Sequence, residues 1–145
     1  MLPDINVLIA AHRADHPQHK VATDWLGRTL HDGNDGQVLV LPMPVISGFL
    51  RLVTNSRIFP RPSTIAQAVD FVDWLLEDTH VRLLGQTSEW TSFRGLIVAK
   101  QLKANQVPDA HLAALSVSLS EPFVTFDKGF RQLLPRSLLV LLSAE

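Results

Sequence analysis

Three aspartates stand where hydrophobic elements meet turns or helix starts. Asp4 follows Met1-Leu2-Pro3 and precedes the apolar run Val7-Leu8-Ile9-Ala10-Ala11. Asp109 lies in Val107-Pro108-Asp109-Ala110-His111-Leu112-Ala113-Ala114-Leu115, and Asp127 ends Phe123-Val124-Thr125-Phe126. Acids at the carboxyl ends of strands in an open α/β sheet share the crevice where ligands bind. Carboxylates gathered there repel one another, and at least one pKa rises. A magnesium or manganese ion, which takes oxygen ligands and keeps several waters, removes that penalty. It also makes a water more acidic and stabilises the charge that develops when a phosphodiester is attacked. The plain alternative is capping, because the helix dipole by itself favours an acid in a first turn.

These acids need rigid supports, and the apolar patterning supplies them. Leu112, Leu115 and Leu119 recur at i, i+3 and i+7, so the segment after Pro108 reads as a buried helix with the proline at its first position. Residues 1–4 read as a very short strand leading into a helix over about 6–12, and a second helix follows over about 19–30 with Val21, Trp25 and Leu30 inward. The stretch His31-Asp32-Gly33-Asn34-Asp35-Gly36 is a loop by composition. Val38-Leu39-Val40-Leu41 is a continuous apolar run, as in a parallel strand covered on both faces. A helix is expected over about 45–54. Another begins after a Ser63 cap and runs to about Glu77, with Ile65, Val69, Val72 and Leu76 on its stripe. Val81–Leu84 is the next strand, Ser88 caps a helix to about Leu102 carrying Trp90, Phe93 and Ile97, and 122–126 is a strand. A short helix over 128–134 and a strand over 138–142 close the chain. Strands alternating with helices predict an α/β fold with a mostly parallel central sheet.

The chain has 145 residues, enough for one domain with a sizeable core, and no linker divides it. It is 46% hydrophobic and 19% charged, which excludes a disordered chain. The net charge of −1 advertises no polyanion binding, so contact with nucleic acid must rest on a local patch or a metal. The lack of cysteine excludes disulfides and thiolate metal sites. The start has no basic signal-peptide segment, and no run approaches a membrane span, so a soluble cytoplasmic protein is expected.

Four stretches together resemble the PIN-domain ribonucleases, specifically the VapC-like toxins of bacterial toxin–antitoxin pairs. They are Pro3-Asp4-Ile5-Asn6-Val7-Leu8-Ile9, Ser47-Gly48-Phe49-Leu50-Arg51-Leu52-Val53-Thr54-Asn55, Val107-Pro108-Asp109-Ala110-His111-Leu112-Ala113-Ala114 and Thr125-Phe126-Asp127-Lys128-Gly129-Phe130. The resemblance covers almost the whole length. It implies a three-layer α/β/α fold and an acidic pocket for Mg²⁺ or Mn²⁺. The implied activity is endonucleolytic cleavage of RNA, with a cognate antitoxin as partner and commonly a homodimer. Under it Asp4, Asp109 and Asp127 are the metal-binding and catalytic acids. Asn6 supports the first aspartate, Thr125 lines the site and Arg51 supports it. One departure stands out: Gly48 occupies the point where the wider family places a glutamate. That leaves an alternative, a catalytically weak domain of the same fold that binds RNA or a partner. An aspartyl-phosphate phosphatase is disfavoured, because Asp4-Ile5-Asn6 lacks the second aspartate such a nucleophile needs.

The other candidates read more simply. His12, His16 and His19 have spacings that suggest zinc, but Pro17 breaks the helix that would align them, so exposed polar roles are expected. His111 lies two residues after Asp109 and points away from it on a helix, which argues against a general base. Arg51 and Lys128 can meet phosphate or hold an acid. Trp25, Trp74 and Trp90 read as core or interface rather than base-stacking residues. The breadth of apolar residues around Phe71, Trp74 and Leu75 suggests a surface for the dimer or antitoxin.

Overall fold

A computed structural model describes residues 1–31 and 37–143. Most of the expected loop at 31–36 lies outside the described residues. Five short strands form the framework: β1 (Leu2–Pro3), β2 (Leu39–Leu41), β3 (Val81–Leu83), β4 (Phe123–Thr125) and β5 (Leu139–Leu141). All the ladders are parallel, with Leu2 opposite Phe123, Phe123 opposite Leu139, and Leu39 opposite Val81. Met1 joins the two halves: its N–H donates to the Val38 carbonyl at 2.6 Å, and its carbonyl accepts from the Val40 N–H at 2.8 Å. The sheet order is therefore β3-β2-β1-β4-β5, and the order reverses between β1 and β4. Ligands bind at such a reversal, beyond the carboxyl ends of the strands.

The intervening helices are α1 (Ile5–His12), α2 (His19–His31), α3 (Met43–Val53), α4 (Ile65–Glu77), α5 (Trp90–Ala99) and α6 (Gln106–Leu119). Short 3-10 helices follow at Lys128–Gln132 and Arg136–Leu138. Right-handed crossovers between parallel strands place α1–α4 on one face and α5–α6 on the other, which is the three-layer arrangement. The contacts agree: α1 packs on α2 and α3, α3 packs on α4, and α5 packs on α6. The core runs through the middle strands, where Leu2, Leu39, Leu41, Phe123 and Val124 are fully buried.

Several local expectations are corrected. Pro108 is the third residue of α6 rather than the first; Asn105 is the cap, and Pro108 still sits where its missing N–H costs nothing. Thr64 rather than Ser63 caps α4, in a reciprocal capping box with Gln67. The inward stripe of α4 is Ala68, Val72 and Leu75, and Ile65 and Val69 are exposed. α5 starts behind Glu89 rather than Ser88, ends at Ala99, and buries none of its residues fully; Trp90 is exposed. In both helices the apolar residues outnumber the positions that the core can cover, so periodicity alone could not choose the inner face.

Candidate active site

β1 ends at Pro3, and the next residue caps α1. The Asp4 carboxylate accepts the Ile5 N–H on Oδ1 at 2.7 Å and the Thr125 hydroxyl on Oδ2 at 2.6 Å. Thr125 ends β4 and is fully buried. Its oxygen accepts the Asn6 side-chain amide at 3.2 Å and the Asp127 N–H at 2.9 Å. A hydroxyl has one proton and two lone pairs, so Thr125 is saturated and its proton goes to Asp4. Asn6 completes the frame by accepting the Phe126 N–H at 3.4 Å. β1, β4 and α1 thus meet through one polar network between residues far apart in sequence.

Asp4 is 7% exposed. Burial lifts its pKa from an ordinary 3.8 to about 6, against the hydrogen bonds from Thr125 and Ile5 and with the help of the negative charges of Asp109 and Asp127. Asp109, half-buried in the first turn of α6, is also pushed up, first by burial and then by Asp127. Asp127 is exposed and caps the 3-10 helix, accepting the Gly129 N–H at 2.7 Å. A Cβ at residue 129 would stand 3.0 Å from that carboxylate oxygen, so glycine is what lets the turn close over it.

Asp109 and Asp127 line one cleft of about 190 Å³ with Lys100, Leu102, Gln106, Gly129, Gln132 and Leu133. The Lys100 ammonium reaches across to the Gln132 carbonyl. It makes no ion pair with either acid among the described residues. Sequence reading missed Lys100 because nothing in its local pattern distinguishes it from any exposed lysine on a helix end.

The charges of Asp109 and Asp127 reach Asp4, and that of Asp127 reaches Asp109, yet among the described residues no three His, Asp or Glu groups are gathered as a cation cage. Asp4 is turned toward its capping N–H and Thr125. Asn6 and Thr125 sit against Asp4 as expected. Arg51 is exposed on α3 with no ion pair among the described residues. Gly48 has a packing reason: a Cβ there would collide with the Ile5 side chain, whose Cγ1 would be 3.2 Å away. An acid at 48 is therefore incompatible with Ile5 as placed.

The histidines are structural rather than exposed. His12 is half-buried against Phe49 and Phe71 and bonds Ser63 Oγ at 2.9 Å. His16 accepts from the Gln18 N–H at 3.1 Å, and His19 bonds the Ala10 carbonyl at 2.8 Å. His111 ties α6 to the start of α5 through Glu89 at 2.8 Å rather than bonding to any of the three aspartates. Trp25 is core, whereas Trp74 and Trp90 are 51% and 62% exposed, open faces rather than interior. Lys128 is exposed beside Asp127.

A parallel sheet with acids from β1, β4 and α6 at its reversal point defines a nuclease-like α/β domain, and the chain belongs to the PIN domain family, which matches residues 1–133. A VapC ribonuclease of Mycobacterium bovis is 38% identical over 128 residues, covering 88% of this chain and 85% of that protein. The ribonuclease VapC31 of Mycobacterium tuberculosis is 35% identical over 130 residues, covering 89% of each. Two solved structures share the fold. VapBC2 of Rickettsia felis, bound to a promoter DNA fragment, aligns with a TM-score of 0.65 at 13% identity over 98% of both chains. Mycobacterium tuberculosis VapC20, a toxin that cleaves the sarcin–ricin loop, aligns with a TM-score of 0.63 at 18% identity over 90% of this chain and 92% of that one. No helix among the described residues is long and apolar enough to cross a membrane.

Proposed function

We propose that this chain is a divalent-metal-dependent endoribonuclease, folded as one domain over residues 1–145 and acting as the toxin of a toxin–antitoxin pair. The observation that carries the reading is the Asp4 carboxylate, buried at the sheet's reversal point beside Asp109 and Asp127 and pushed up to about 6. A structural carboxylate is ordinarily neutralised by a basic partner; this one has none among the described residues, and the charges that act on it are those of Asp109 and Asp127. The relatives at 35–38% identity are named as ribonucleases, which supplies the substrate class. They lend no support to the alternative of a catalytically weak binding domain.

The all-oxygen donor set of Asp4, Asp109 and Asp127 fits Mg²⁺ or Mn²⁺ and excludes a thiolate metal. When bound, the ion would supply charge neutralisation and a more acidic water. The chain's own residues do the positioning. Thr125 donates to Asp4 Oδ2 and, with the Ile5 N–H on Oδ1, fixes the carboxylate's plane. Asn6 and the Asp127 N–H hold Thr125 in turn. Asp127 and Asp109 form the open wall that an RNA phosphate approaches, and Lys100 is the cation lining it. Arg51 stands outside this network as an outer support on α3. The exposed Ile65, Val69 and Trp74 of α4, with Trp90 and Val98 of α5, are surfaces that a cognate antitoxin and a second copy of the chain would cover.

The test is cleavage of structured RNA with Mn²⁺ against the same reaction in EDTA, with Asp4→Asn and Asp109→Asn alongside. Each substitution is expected to cost more than the roughly 10–100-fold that outer contacts of a metal site cost. Equal cleavage by wild type and Asp109→Asn would overturn the assignment.

A further inference from the structure

The acid cleft uses only one side of the 3-10 helix at Lys128–Gln132. Gly129, Gln132 and Leu133 face the acids, while Arg131 and Leu134 line a separate groove of about 560 Å³ with Arg136, Leu139 and Leu141. Two arginines, three leucines and no acid make up that lining. Neither guanidinium has an ion-pair partner among the described residues. The groove lies along β5, the outermost strand of the sheet. Its volume is within the roughly 300–1,000 Å³ of ordinary ligand sites.

From this we propose that the groove is an RNA subsite, holding the strand that runs past the 3-10 helix away from the scissile bond; the inference rests on the ribonuclease reading. A strand with one phosphate at the acid cleft must leave along one of its walls. The 3-10 helix that walls the cleft also carries Arg131, and Arg136 opens the next 3-10 helix. A guanidinium holds phosphate bidentately, and its plane accepts a stacked base. The leucines give the base and ribose an apolar floor without reading sequence. Sharing the 3-10 helix with the acid cleft favours RNA over an acidic protein segment, which would need only the charge. The subsite also explains how a chain of net charge −1 binds a polyanion: the basic charge is local and lies across the 3-10 helix from the acid cleft.

The experiment measures binding of labelled single-stranded oligoribonucleotides of about 4 and about 12 nucleotides, by anisotropy over a salt series with Ca²⁺ in place of Mn²⁺. Wild type, Arg131→Ala/Arg136→Ala and Arg131→Lys/Arg136→Lys are compared, with wild-type cleavage in Mn²⁺ run in parallel. The alanine pair is expected to lose most of the longer oligonucleotide's affinity advantage. Its slope of log affinity against log salt should fall by about 1.4, at about 0.7 per phosphate contact on a single strand. The lysine pair should keep the slope. If wild type cleaves and the alanine pair binds with unchanged affinity and slope, the subsite is refuted while the nuclease reading stands. If the alanine pair binds RNA normally but loses a purified antitoxin, the groove belongs to that protein and the subsite is likewise refuted. If wild type neither cleaves nor binds, both readings fall.

Discussion

Replacing Asp4 by asparagine should make the metal-free protein more stable while removing its activity. The ordinary carboxyl value of 3.8 rises to about 6 in the folded chain, and at about 1.36 kcal/mol per pH unit the difference is about 3 kcal/mol. A raised carboxyl binds its proton more tightly folded than unfolded. Its favourable contribution is therefore complete below pH 3.8 and is lost as pH climbs through about 6. Above that, the native state carries the whole cost of a buried, repelled charge. Asparagine removes the charge but can serve as acceptor for either Ile5 or Thr125, not both, at a cost of about 1 kcal/mol. The net expectation is a gain of about 2 kcal/mol at pH 8, shrinking to nothing near pH 4. In urea the midpoint should rise by about 1 M at pH 8, since denaturant slopes for small proteins are about 1–3 kcal/mol per M. Mn²⁺ at 100 times its dissociation constant should stabilise wild type by about 2.7 kcal/mol and leave Asp4→Asn unmoved. An asparagine variant no more stable than wild type at pH 8 in EDTA would refute the reasoning. So would a gap that stays constant from pH 4 to pH 8.

Other consequences follow from single contacts. Thr125→Val removes the hydroxyl from Asp4 and leaves the Asn6 amide and Asp127 N–H without their acceptor; it should lower kcat about 10–100-fold, with Thr125→Ser restoring most of it. Gly48→Ala puts a Cβ against the end of the Ile5 side chain, so in urea melts it should lack the gain of about 0.5–1 kcal/mol that alanine brings to a helix interior. Trimming the partner in Gly48→Ala/Ile5→Val should recover part of that, and strict additivity of the two changes would count against the contact. Ala104 has φ 50° between α5 and α6, where a Cβ costs about 1–2 kcal/mol and glycine's extra chain entropy about 0.5–1. Ala104→Gly should therefore raise the melting temperature by a degree or more, and a decrease would refute the strain.

Much of the frame could be read directly from the chain. The apolar runs at 38–41 and 122–126 and the leucine spacing after Pro108 are local signals, and each became β2, β4 or α6 because burial of a contiguous apolar surface decides such segments. Asp4, Asp109 and Asp127 were visible for the same reason: each adjoins an element whose start or end is marked in its neighbours. The inner face of α4 and the cap of α5 were not visible. There the helices carry more apolar residues than the core covers, and only packing selects among them.

The resemblance placed Asn6 and Thr125 at the acid site, but the atom-to-atom pairings between distant residues were not legible in the chain. The Thr125 hydroxyl on Asp4, the Lys100 reach to Gln132 and the Ile5 side chain against Gly48 join residues 121, 32 and 43 positions apart. Such contacts follow from strand order and helix approach, which the whole core sets at once. By itself the sequence determined which elements form and which acids stand at their ends, because those depend on near neighbours. Tertiary structure alone decided that Asp4 is buried within reach of two like charges and that the Ile5 side chain covers Gly48, because solvent exclusion and close approach are properties of the assembled layers.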